Sequence, residues 1–104
     1  MENLFQFFHH LETFFYLKGF YPVQIALRSQ NNDLLRLMLE KGASVNEVIK
    51  TTGETPLLYA VNNQFEETVS LLLQHNASVD QKDHYQDTPL HIASQKGNVK
   101  ILQV

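Results

Sequence analysis

The stretch Thr88-Pro89-Leu90-His91-Ile92-Ala93 decides the fold, because its skeleton has already occurred 33 residues earlier as Thr55-Pro56-Leu57 followed by Ala60. A period of about 20 to 50 residues fixes an architecture before any single element is assigned. Outward from this stretch, Val69, Leu71, Leu72 and Leu73 echo Leu35, Leu37, Met38 and Leu39. Likewise Asn76-Ala77-Ser78-Val79-Asp80 echoes Gly42-Ala43-Ser44-Val45-Asn46, both echoes at a spacing of 34. Aligning the copies puts Pro22, Pro56 and Pro89 in register, then Ala26, Ala60 and Ala93, then Leu35, Val69 and Leu102. Three units follow. From Pro22 to Gly42 and from Pro56 to Asn76 the count is 20 in both, so the extra residue of the first period falls between Asn46 and Gly53. That segment must be an exposed loop, since a helix cannot absorb one residue without rotating its apolar face.

Each unit reads as a short helix, a turn, a second helix and a loop. Thr55 and Thr88 suit the N-cap, and the proline after each suits the first helical position, where its missing N–H costs nothing. First helices therefore begin near Pro22, Pro56 and Pro89, and second helices cover about 32 to 41, 66 to 75 and 99 onward. Small residues at 26, 60 and 93 let a neighbouring helix approach closely, while the leucine stripe of the second helices forms the core. Gly42 and Asn76 tolerate the left-handed conformation that ends such a helix.

Taken together, the Thr-Pro-Leu-His-x-Ala stretch, the paired leucines, the Gly-Ala-Ser-Val-Asn ending and the period resemble the ankyrin repeat. The resemblance spans residues 20 to 104 and implies an all-α fold, an ankyrin-repeat α-solenoid of stacked helix-turn-helix units with hairpin-like loops. It divides the chain into an N-terminal amphipathic capping helix over 1–19, a degenerate unit over 20–50, a second unit over 51–83 and an incomplete third over 84–104. The first unit has Tyr21-Pro22-Val23-Gln24 where the motif has Thr-Pro-Leu-His. Gln86 stands where Gly53 supplies a hairpin glycine, and Gln30 and Gln64 where Gly97 supplies a turn glycine; a left-handed non-glycine residue costs about 1 to 2 kcal/mol. A Thr-to-His hydrogen bond is expected only in the third unit, through Thr88 and His91.

Composition narrows the function classes. Eight Lys and Arg against eleven Asp and Glu, without blocks, leave a net charge of −3 and no electrostatic footprint for nucleic acid. The absence of cysteine removes disulfides, thiolate zinc sites and thiol nucleophiles, and suits the cytoplasm or another reducing compartment. Five of the seven Phe lie between positions 5 and 15, where Leu4, Phe7, Phe8, Leu11, Phe14 and Phe15 mark one face of an amphipathic helix. Its acidic start and interrupting polar residues argue against a signal peptide and a membrane span. A helix lying on a membrane surface would want more basic residues than Lys18.

Chemistry finds little support. His9 and His10 are adjacent on a helix and diverge, and His84 and His91, although near Asp83 and Asp87, lack known metal-ligand spacing. There is no phosphate-binding glycine loop and no nucleophile elbow. Glu66 and Glu67 open a second helix, where they complement its dipole. No catalytic residue, metal or cofactor is therefore expected. The resemblance instead implies a protein-protein interaction module that engages a protein partner through hairpin tips and the concave helix face. In the second unit those positions are Thr51, Thr52, Glu54, Tyr59, Asn62 and Asn63; in the third they are Lys82, His84, Tyr85, Asp87, Ile92, Gln95 and Lys96. Tyr59, Tyr85 and Ile92 are the expected anchors. The alternative is a targeting region of a larger enzyme or effector whose catalytic domain lies outside this chain. Register also ends the third unit at Val104, before the counterparts of Leu72 and Leu73, so an apolar flank is expected to stay uncovered. A fragment of a longer array, a truncated reading frame or end-to-end self-association would each account for it.

Overall fold

In the second and third units, proline and its preceding threonine start the first helix as their chemistry requires. In the computed structural model, which describes residues 22–49 and 52–103, six helices follow one another in pairs. These are α1 (Pro22–Arg28) with α2 (Asn32–Glu40), α3 (Pro56–Asn62) with α4 (Glu66–Gln74), and α5 (Pro89–Lys96) with α6 (Val99–Gln103). No strand occurs among the described residues. The helix expected over 1–19 lies outside them, as does Thr51. At α3 the Leu58 N–H donates to Thr55 Oγ1 at 3.2 Å, and at α5 the His91 N–H donates to Thr88 Oγ1 at 3.4 Å. Only the third unit adds the reciprocal half, with the Thr88 N–H donating to His91 Nδ1 at 3.3 Å.

The turn inside each pair repeats one backbone solution. The N–H groups of Asn31, Phe65 and Asn98 donate to the carbonyls of Ala26, Ala60 and Ala93 at 3.0, 2.9 and 3.2 Å. This six-to-one closure requires a left-handed residue just before it. Gly97 meets that demand without strain at φ 65°, whereas Gln30 and Gln64 are forced to φ 55° and 60°. The second helices end the same way, with Ala43 and Ala77 N–H donating to Met38 and Leu72 carbonyls at 3.0 and 3.1 Å. Asn76 takes φ 65° there, as expected of the residue type.

First helices form one layer and second helices another: α3 packs between α1 and α5, and α4 between α2 and α6. Ala26, Ala60 and Ala93 are all buried, which permits the close approach within the first layer. Leu27, Leu35, Leu57, Leu58, Val61, Val69 and Leu72 are fully enclosed, each side chain adding about 1.5 to 3 kcal/mol by leaving water. Polar side chains stitch successive units. Thr68 Oγ1 donates to Asn32 Oδ1 at 2.6 Å, the Ser78 N–H donates to Asn46 Oδ1 at 2.9 Å, and Asn98 Nδ2 donates to Gln64 Oε1 at 3.3 Å.

Leu35, Val69 and Leu102 share a register but not a burial. Leu102 is 41% exposed against 1% for Val69, and Leu90 is 65% exposed against 2% for its counterpart Leu57. With the exposed Val79 they line a depression of about 340 Å³ where the second and third units meet, its other walls including Leu57 and Val61 of α3 and Val69 and Leu73 of α4. No helix among the described residues is long and apolar enough to cross a membrane.

Candidate functional site

The loops before α3 and α5 carry seven of the thirteen expected recognition positions, and their backbones differ in one respect. The Ile49 N–H donates to the Glu54 carbonyl at 2.7 Å, and the Gly53 N–H to the Ile49 carbonyl at 2.7 Å. In the second loop the Asp83 N–H donates to the Asp87 carbonyl at 3.0 Å, and the Gln86 N–H to the Asp83 carbonyl at 3.1 Å. Three residues separate Ile49 from Gly53 and two separate Asp83 from Gln86, so the extra residue of the longer period sits between Ile49 and Gly53.

Asp83 builds its loop. Its Oδ1 accepts the N–H of Tyr85 at 2.9 Å and of Asp87 at 3.0 Å, a side chain imitating a turn. The result holds the Tyr85 ring out at the tip, 85% exposed. Gln86, next along, is left-handed at φ 68°, the position Gly53 holds in the preceding loop. Gly53 is needed twice over: its φ is 73°, and a Cβ there would run into the imidazole of His84. The His84 ring, although exposed overall, lies against Gly53 and so brings the two hairpins into contact.

Between the hairpins runs a groove of about 600 Å³. Thr52, Glu54, Asn62, His84, Tyr85, Asp87, Ile92, Gln95 and Lys96, all expected recognition positions, line it together with Asp83. Three of the lining residues are carboxylates, Glu54, Asp83 and Asp87, and one is a cation, Lys96. Among the described residues no group of three or more His, Asp or Glu is placed to hold a metal ion.

Four expected positions fall elsewhere or behave differently. Tyr59 is half-buried and its ring meets Phe65 edge-on, centroids 6.1 Å apart, so it packs on the core and does not line the groove. The cause is Phe65, whose counterparts in the other units are Asn31 and Asn98. Ile92 lines the groove but is only 5% exposed, which makes it floor and not a projecting anchor. Asn63 ends α3 and its Nδ2 donates to the Tyr59 carbonyl at 2.8 Å, a capping role. Lys82 is exposed on the hairpin outside the groove lining. Asp83 also lines the groove without being an expected recognition position, and its place in the repeat motif is the signal that points to it.

Comparison with known proteins follows the same geometry. A family model described as ankyrin repeats (3 copies) matches residues 5–83 and 23–104. The ankyrin repeat protein FPV222 of fowlpox virus (strain NVSL) is 36% identical over 72 residues, covering 69% of this chain and 10% of that protein. The 2-5A-dependent ribonuclease of Homo sapiens is 37% identical over 76 residues, covering 73% of this chain and 10% of that protein. The chain thus spans about a tenth of the length of these relatives. Among solved structures, the ankyrin repeat domain of Bcl-3 superposes with a TM-score of 0.74 at 32% identity, covering 78% of this chain and 36% of that one. Family model, relatives and the repeated helix pairs agree, and the chain belongs to the ankyrin-repeat family.

Proposed function

We propose that this chain is a protein-binding module, with units at 20–50, 51–83 and 84–104, that holds its partner along the groove between the second and third hairpins and performs no catalysis. Ankyrin repeats serve in general as protein-interaction modules, and the observation that carries the reading here is the convergence of both hairpin tips on one groove of about 600 Å³ beneath an exposed Tyr85. Hot spots favour aromatic side chains that a partner can desolvate. A cysteine-free chain suits a reducing compartment. Replacing Tyr85 with Ala should weaken a verified partner about tenfold or more while the circular dichroism spectrum stays unchanged. Equal affinity for both proteins would refute the groove assignment.

Two further readings have observations behind them. The similarity to a ribonuclease that is about seven times longer, since the 76 matched residues are 73% of this chain and 10% of that protein, favours a targeting role beside an effector domain. Sequencing the transcript on both sides of this stretch decides that point: further repeats alone argue against it, and a new catalytic domain supports it. The exposed face of Val79, Leu90 and Leu102 favours end-to-end self-association, which sedimentation velocity would detect.

A further inference from the structure

The charges along the groove are sorted by position. Glu54, Asp83 and Asp87 all belong to the loops that precede α3 and α5, whereas Asn62, Gln95 and Lys96 belong to the far ends of those helices. Asp87 precedes α5 and Lys96 is its last residue, so the helix, roughly 12 Å long at the ordinary helical rise, separates them. One end of the groove is therefore negative, its far end polar and positive, and Ile92 provides an apolar floor between them. Tyr85 stands at the negative end with its ring open to solvent.

We propose that the negative end recognises an arginine side chain, next to an apolar residue, within a peptide segment of the partner. This rests on the reading of the groove as a protein-binding surface. Its carboxylates do not converge on a point as a metal ion would require. They are spread over two loops, which suits a planar, delocalised guanidinium able to donate to more than one carboxylate and to stack on a tyrosine ring. An apolar neighbour in the segment would then cover Ile92. Lys96 at the other end repels a second cation there and gives the segment a preferred direction.

The test is panning of the full chain against short random peptides displayed on phage, followed by fluorescence anisotropy of the selected peptides. Glu54→Gln with Asp87→Asn is the diagnostic variant, because only the backbone groups of these residues hold the loops. Asp83 is left intact because its carboxylate builds the turn. Expected are Tyr85-dependent binders enriched in arginine beside an apolar residue, weakened about tenfold or more by the double variant and by arginine-to-glutamine exchange in the peptide, with unchanged helicity. Tyr85-dependent binders without arginine enrichment, or binders that the double variant leaves undiminished, overturn the arginine assignment and spare the groove. A selection that yields no Tyr85-dependent binder overturns both.

Discussion

Tyr59 and Tyr85 are the same residue type in neighbouring units, and the structure gives them opposite work. Tyr59 leans on Phe65 and Tyr85 stands free in solvent. Tyr59→Ala should accordingly cost about 1 to 3 kcal/mol of stability in urea denaturation, from lost area and an aromatic edge contact. Tyr85→Ala should leave the urea midpoint where it was; a comparable loss in both would mean Tyr85 is packed. A second contrast lies in the backbone. Gln30 and Gln86 sit at φ 55° and 68°, where Gly97 and Gly53 sit unstrained, so Gln30→Gly and Gln86→Gly should each raise stability by about 1 kcal/mol. An unchanged or lower midpoint would contradict the strain argument.

At the level of elements, much was legible because it depends on local chemistry. Threonine caps, proline at the first helical position and left-handed glutamines were all read from residue type and register, and each helix start expected at a proline is found there. The extra residue of the first period was placed in a loop by counting alone, and the hydrogen bonds of Ile49 narrow it further. What escaped the sequence depends on a neighbour at another register position. Nothing in a one-dimensional pattern says that Phe65 diverts Tyr59, that His84 rests on Gly53, or that Ile92 lies below its flanking side chains. Position 65 illustrates the exchange. Asn31 and Asn98 accept the N–H groups of Leu34 and Ile101 at 3.1 Å each, whereas Phe65 gives α4 no side-chain cap and contributes an aromatic contact instead. Removing a cap that is used should cost about 1 to 2 kcal/mol, as in Thr55→Val, because the buried Leu58 N–H then loses its acceptor. Thermal unfolding of that variant at an unchanged midpoint would show the cap to be idle.

Across the whole molecule, the stack has two surfaces of different character. The groove is polar with an aromatic lip, and the face that exposes Val79, Leu90 and Leu102 is apolar. If the second face self-associates, sedimentation velocity should show mass rising with concentration, and Leu90→Lys with Leu102→Lys should return the chain to monomer. A monomer at every concentration would remove self-association from the account. Binding along the groove is open to amide chemical-shift mapping with a bound peptide or partner. The largest shifts are expected at Thr52, Glu54, His84 to Asp87 and Ile92 to Lys96. Shifts concentrated instead at Val79, Leu90 and Leu102, or along the second helices α2 and α4, would contradict it.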